Sequence, residues 1–375
     1  MQKNRLFWAL PILYIALTLA CWLHAPNSES LSERRKLAQM PKLSWSAIQS
    51  GSFASNFESY TQDQFPLRET FRQAKALFSV KVLGRQDNNR IYESKDGFLA
   101  KLEYPMKETS IDYAASRFQA VYDRYLSGND RVFVALIPDK AAYLEGIPKL
   151  SYADFANRLE EKTPFASFID LSASLTLDSF YKTDTHWRQE QLGDAAGTVA
   201  AAMGKKLTMD YETRLATEDF LGVYAGQSAL PVKGEPLYYL WNDSFDALEI
   251  QDRERNREIS VYDLTALDGR DPYELFLSGS LSLITVKNPN ASSTDKLIIF
   301  RDSFGSSIAP YFFESYAEVT LVDIRYLPVE RLGKFLDFAD SDVLFSSEEE
   351  PLTWEAYTEL KALALKSAAD FQKLY

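Results

Sequence analysis

Cysteine is all but missing from this chain: Cys21 is the single one among 375 residues. It lies inside the N-terminal apolar run. Everything after residue 25 therefore contains no disulfide, no thiolate metal site and no cysteine nucleophile. Histidine is almost as scarce, with only His24 and His186. One histidine in the bulk of the chain and no thiol argue against a zinc site. Neither standard glycine-rich phosphate loop occurs, and no repeat or low-complexity segment is visible. Basic charge is also short. The net charge is −12, and the first 25 residues hold Lys3 and Arg5 with no acid, leaving −14 on the remainder. An acidic domain of this kind argues against a nucleic-acid partner. Among 53 acidic residues, no pair is singled out for glycoside hydrolysis.

Apolar material, in contrast, is plentiful. The chain is 46% hydrophobic and has 24 Phe and 21 Tyr, enough for a large core. Its length fits one large domain or two ordinary ones. The longest apolar run, Leu6 to Leu23, is interrupted by Pro11, Tyr14 and Thr18. At helical rise it covers about 27 Å, close to a bilayer's hydrocarbon core. Lys3 and Arg5 precede it, and Asn27, Ser28, Glu29 and Ser30 follow, which puts the N-terminus in the cytoplasm and the bulk outside. A signal peptide cut near His24-Ala25 fits the same pattern, but the near-spanning length favours an uncleaved anchor. A lipidated Cys21 fits poorly, since Thr18-Leu19-Ala20 precedes it and Trp22-Leu23 continue the run. The expectation is a single-pass cell-membrane protein with an extracytoplasmic bulk: anchor over 1–25, linker over 26–54, and an α/β domain over 55–375.

From Asn56 to Leu83 the apolar positions Phe57, Tyr60, Phe71, Leu77, Phe78 and Val82 are helically spaced, and Pro66 divides the stretch into two helices. A turn is expected at Asp96-Gly97 and a helix over about 111–126. Val132-Phe133-Val134-Ala135-Leu136-Ile137 reads as a strand buried on both faces. Phe168–Leu171 is a second strand, and 189–203 is an alanine-rich helix. Residues 217–273 read as an irregular or β insertion that decorates the core. Strands at 283–286, 297–300, 319–322 and 343–345 then complete a mainly parallel sheet flanked by helices.

Open parallel sheets present reactive groups beyond the carboxyl ends of their strands. Arg301-Asp302-Ser303-Phe304-Gly305 occupies such a place, between a strand and a helix start. There Ser303 is either a nucleophile beside helical N–H groups or simply an N-cap. A serine nucleophile needs a base. His24 sits at the membrane boundary, so the base must be His186. Asp184 lies two residues before it and points the same way in an extended segment, as required to orient an imidazole. A core histidine bonded to a neighbouring carboxylate is the plain alternative.

Thr183-Asp184-Thr185-His186-Trp187 is similar to the Asp-His-His-Trp signature of the bacterial DHHW family, with Thr185 in place of the first histidine. It also resembles the Asp-Thr-His-Trp segment of the SGNH-like alginate O-acetyltransferase proteins. Asp63–Arg68, Asp96–Leu99, Ile137–Lys140, Asp302–Gly305 and Val322–Tyr326 match the DHHW pattern as well, in order, across roughly 55–350. The resemblance implies an SGNH-hydrolase-like fold and an O-acyltransferase or esterase acting on a cell-envelope polysaccharide without a cofactor. It implies Ser303 as nucleophile, His186 as base and Asp184 as orienting acid, with substrate or oxyanion contacts from Gly279, Ser280, Arg325 and Trp187. A membrane-bound O-acyltransferase is the implied partner. Two departures stand out: Arg301 replaces a small residue beside the serine, and Ser280 stands where Gly-Asn is usual. They favour the alternative of an inactive protein that binds glycan or scaffolds an acylation complex. A scaffold working through the N-terminal helices is a third reading.

Overall fold

Alternation along one strand organises the larger part of the molecule. In Val132–Ile137 every residue is buried, yet successive side chains enter different cores. Phe133, Ala135 and Ile137 join one apolar cluster, and Val132, Val134 and Leu136 join the other. Side chains of a strand point alternately to its two faces, so a continuous apolar run needs cover on both. The helices Glu108–Val121 and Tyr152–Lys162 supply it on one side through Ile111, Phe118, Phe155 and Leu159. Gly193–Ala202 and Ser303–Ile308 supply it on the other.

The computed structural model describes Trp8, Pro11, Ile12, Ile15 and residues 25–348. Its main sheet has eight strands, in the order Arg257–Glu258, Glu249–Asp252, Leu283–Lys287, Glu318–Val322, Lys296–Phe300, Ser341–Glu348, Val132–Ile137, Ser167–Asp170. The last five are parallel neighbours. The first three are added antiparallel. The fold is thus α/β with a mainly parallel core. The stretch 217–273 does more than decorate it. Part of it forms a hairpin of Glu212–Phe220 with Glu235–Trp241, and its polar segment 249–258 supplies the last two strands at one end of the main sheet. The helix expected from 189 begins as a 3-10 turn, Gln189–Gln191, before the α-helix Gly193–Ala202.

The described residues fall into two compact units. Ser94–Gly222 with the chain from Gly234 onward holds the sheet, and residues up to Glu93 with Val223–Lys233 form the other. The domain expected from 55 therefore divides at 93. The smaller unit has helices Trp45–Gln49, Ser52–Asp63 and Arg68–Leu77, the last continued by a π-turn, Phe78–Val82. Pro66 lies between the second and third, where a helix cannot pass. Ion pairs and amide bonds tie this unit together. Arg35 grips both oxygens of Asp63 at 2.8 and 2.5 Å, and Arg68 pairs with Glu33. The buried Gln64 binds Asn27 and Ala38 through their backbones. Hydrogen bonding from Arg35 lowers the Asp63 pKa.

The expected anchor lies almost wholly outside the described residues. No helix among them is long and apolar enough to cross a membrane.

Candidate active site

The strand Lys296–Phe300 runs into a tight turn. Arg301 N–H donates to Val322 O at 2.9 Å, extending the parallel ladder by one residue. Asp302 is extended and caps the next helix, its Oδ1 accepting from Phe304 N–H at 2.9 Å. Ser303 is therefore the first helical residue, and Asp302 is the cap. Gly305 permits this geometry, because a Cβ there would meet the Arg301 Cβ at 2.4 Å.

His186 arrives on a second, pinched loop. Phe180 and Trp187 form an antiparallel bridge, closed by Tyr181 N–H to His186 O at 3.1 Å and Arg188 N–H to Ser179 O at 2.8 Å. The residues between them carry backbone groups that a sheet cannot satisfy, and two buried charges do so instead. The Lys140 ammonium, with no exposed surface, donates to the carbonyls of Tyr181 at 2.8 Å, Lys182 at 3.3 Å and Asp184. The Glu235 carboxylate accepts from Lys182 N–H, Thr183 N–H and the Thr183 hydroxyl at 2.8–2.9 Å. A buried ion is tolerable only when so saturated. Gly222 packs directly on the loop, since a Cβ there would lie 2.3 Å from the Asp184 Cα.

The two loops bring Asp184, His186 and Ser303 into one line. His186 Nδ1 lies 2.5 Å from Asp184 Oδ1, which also accepts from His186 N–H at 3.0 Å. His186 Nε2 lies 2.7 Å from Ser303 Oγ. With the carboxylate accepting at Nδ1, Nε2 is the nitrogen left to accept from the serine hydroxyl. Asp184 is fully buried, His186 nearly so, and Ser303 half-buried. The Tyr273 ring stacks on the imidazole, 3.9 Å between centroids and 10° from parallel, and Phe304 closes in at 4.8 Å. Burial holds the Tyr273 phenol well above its ordinary pKa, so it stays a neutral donor. Its hydroxyl donates to Ser307 Oγ at 2.7 Å.

The remaining candidates are placed differently. Trp187 is completely buried, its indole N–H bonded to Ser307 Oγ at 2.7 Å and shared with Phe304 O at 3.2 Å. It braces the helix that starts at Ser303 from within and offers no surface to a substrate, which corrects the substrate or oxyanion role expected for it. Leu277, Ser278 and Gly279 form three consecutive left-handed residues, with φ of 53°, 57° and 76°, and Ser280 follows them exposed. Arg301 is buried against this turn, reaching Gly279 O at 3.5 Å and Leu281 O at 3.2 Å, while its Nε has no hydrogen-bond partner. Desolvation lowers the Arg301 pKa, countered in part by Asp323 and Asp302. Arg325 is committed to Asp323 through three bonds of 2.6–3.2 Å, and its pKa is raised by that pairing against the cost of burial.

Lys140, Glu235, Tyr273 and Ser307 have no role in the sequence reading. Only Lys140 carried a signal, as part of the Ile137–Lys140 segment. Among the described residues, no cluster of three or more potential metal ligands occurs.

No family model matches the chain, and no curated protein does. Solved structures are similar to it in fold. A DHHW family protein from Eubacterium siraeum DSM 15702 is 19% identical with a TM-score of 0.57, covering 70% of this chain and 91% of that one. Bacillus cereus PatB1 is 16% identical with a TM-score of 0.56, covering 69% and 95%. Its structure with a sulfonyl adduct gives 17%, 0.55, 71% and 96%.

Proposed function

We propose that this chain is a serine-dependent O-acyltransferase or esterase, held at the extracytoplasmic face of a membrane and acting on O-acetyl groups of an envelope polysaccharide. The observation that carries the reading is the unbroken contact from Asp184 through His186 to the hydroxyl of the half-buried Ser303. In the reaction Ser303 Oγ attacks the acyl carbonyl carbon as its proton passes to His186 Nε2. Asp184 stabilises the imidazolium. The carbonyl π-electrons move onto oxygen, then return to expel the donor's oxygen, which takes the proton from His186. The acyl-serine is discharged by a sugar hydroxyl or by water, activated by the same histidine. The Ser303 N–H, at the first position of its helix, has no intrahelical acceptor and is a candidate oxyanion donor together with the Gly279–Ser280 turn. The acetyl group, the polysaccharide and a membrane-bound O-acyltransferase partner come from the resemblance to the alginate-acetylating proteins, and the membrane location comes from the apolar run Leu6–Leu23 with its flanking charges.

The test is fluorophosphonate labelling of the full chain with acetate release from a p-nitrophenyl ester. Labelling and release are both expected, and both are lost in Ser303→Ala and His186→Ala. An unlabelled wild type rules out nucleophilic catalysis, and label that survives Ser303→Ala places the nucleophile elsewhere. A second reading, a glycan-binding or scaffolding protein without turnover, is favoured by one feature. Ser280 has an exposed, short side chain where the resemblance implies asparagine. That reading predicts glycan binding with no label.

A further inference from the structure

The third helix of the smaller unit inverts the usual partition of residues. Along Arg68–Leu77 and its continuation Phe78–Val82 the buried residues are the small Ala76 and Ser79. The large apolar residues face out: Leu67 at the N-cap is 71% exposed, Phe71 52%, Phe78 54% and Val82 67%. Leu67, Phe71, Ala74 and Phe78 recur at the spacing of one helix face, and Val82 follows a turn later. The orientation is fixed by the unit's own bonds. Arg68 pairs with Glu33, and Arg72 reaches Glu33 at 3.4 Å and donates to Gly226 O at 2.6 Å. The short helix Trp45–Gln49 buries none of its residues and exposes Trp45 and Ile48. A contiguous apolar face of this kind marks a surface that something covers.

Charge indicates what covers it. Nine Lys and Arg and three Asp and Glu lie between Arg34 and Arg85, a net of +6 within a chain of −12. Lys75 and Lys81 lie on the two flanks of the exposed stripe, with Lys75 Nζ donating to Asn89 Oδ1 at 3.0 Å and Lys81 Nζ 3.7 Å from Glu93, and from there a long side chain can swing its ammonium to a polar boundary above an apolar one. Large apolar side chains facing one way with lysines beside them describe a helix lying in a lipid interface, and excess positive charge favours anionic headgroups. Residues 24–66 link the segment to the apolar run Leu6–Leu23.

We propose that the Leu67–Val82 face rests on the surface of an anionic bilayer, with Phe71 and Phe78 inserted among the lipids and Lys75 and Lys81 at the headgroups. This surface rests on the membrane anchoring proposed above and adds a second, peripheral contact to it. The native chain has one cysteine, which makes the test direct. The full chain, in a Cys21→Ser background, carries a nitroxide at Phe71→Cys, Phe78→Cys or Gln73→Cys, and is reconstituted in vesicles of equimolar phosphatidylglycerol and phosphatidylcholine. At 71 and 78 broadening by a water-soluble nickel chelate should be lost and broadening by oxygen retained, while 73 keeps its nickel broadening. Lys75→Glu with Lys81→Glu, or vesicles of phosphatidylcholine alone, should restore nickel access at 71 and 78.

Nickel access at 71 and 78 in the anionic vesicles overturns the proposal. Protection from both reagents also does, because it means that protein, such as a second copy or a partner chain, covers the face. Insensitivity to charge removes the anionic surface from it. A nitroxide on the native Cys21 reads the anchor separately: lipid exposure there with water at 71 leaves the anchor standing and sinks the docked helix, and water at Cys21 sinks the anchor.

Discussion

The loop that carries His186 and the turn at 277–281 are held in different ways. The histidine loop is saturated: Lys140 collects its carbonyls, Glu235 its N–H groups, and Gly222 lets the backbone of another segment lie against it. The 277–281 turn is held mainly by main-chain bonds, with Leu277 N–H on Val261 O at 2.9 Å, Gly279 N–H on Phe276 O at 3.1 Å and Leu281 N–H on Gly279 O at 3.0 Å. It spends three residues in the left-handed region, two of them with side chains, and its cation Arg301 makes long bonds and leaves Nε unsatisfied. Left-handed backbone costs about 1–2 kcal/mol per L-residue, so the turn persists only because its surroundings impose it. The His186 loop is fixed by side-chain pairing, and the turn carries left-handed backbone.

Removing the pairing should have the largest effect. In Lys140→Met three carbonyls lose their buried donor. Ester hydrolysis should fall by about 100-fold as the imidazole shifts, since displacements of about 1 Å cost that much. The urea midpoint should fall with it, by the equivalent of roughly 2–4 kcal/mol. Retained activity in this variant would show that the loop does not depend on its cation. Next comes Glu235→Gln, which keeps the shape but replaces one acceptor oxygen by a donor facing N–H groups. A loss of about 1–3 kcal/mol is expected by denaturant titration, with a smaller fall in rate than for Lys140→Met.

Arg301→Met tests the other half of the comparison. Deleting a poorly paired buried cation should leave stability unchanged or raise it by about 1 kcal/mol. Acyl transfer should slow because the turn loses its brace, yet fluorophosphonate labelling of Ser303 should survive, since His186 is untouched. A marked fall in stability would show that Arg301 is better satisfied than its bonds suggest. The smallest effect is expected for Ser278→Gly. Relief of the left-handed strain should raise stability by about 0.5 kcal/mol, measured by the same titration. A loss would mean the turn is not under tension.

Different parts of this organisation were legible in the sequence to different degrees. Runs such as Val132–Ile137 and Leu297–Phe300 announce strands covered on both faces because burial on both sides leaves no polar position. The strands Glu249–Asp252 and Arg257–Glu258 do not, since both are short and largely polar and the second lies at the sheet's edge, so they resemble a loop. His186, Asp184 and Ser303 could be placed together by the scarcity of histidine, by the i, i+2 spacing, and by a serine after a strand end. The supports could not. A lysine after a strand is ordinarily solvated, and Lys140 is buried only because the Tyr181–Asp184 carbonyls converge from some forty residues away. Tyr273 lies in a stretch without periodicity, and nothing about Leu277 or Ser278 advertises a positive φ.

The Ser307 hydroxyl has a consequence for the order of folding. That one oxygen accepts from Trp187 and Tyr273 and donates to Phe304 O, joining positions 120 and 34 residues away in sequence to its own helix. Pairings of such separation form slowly, because a long loop must close before any contact repays it. The main sheet waits on a longer closure still, because Val132–Ile137 pairs with Ser341–Glu348 near the far end of the described chain. By that measure the junction around Ser307 closes a shorter loop than the sheet that carries it.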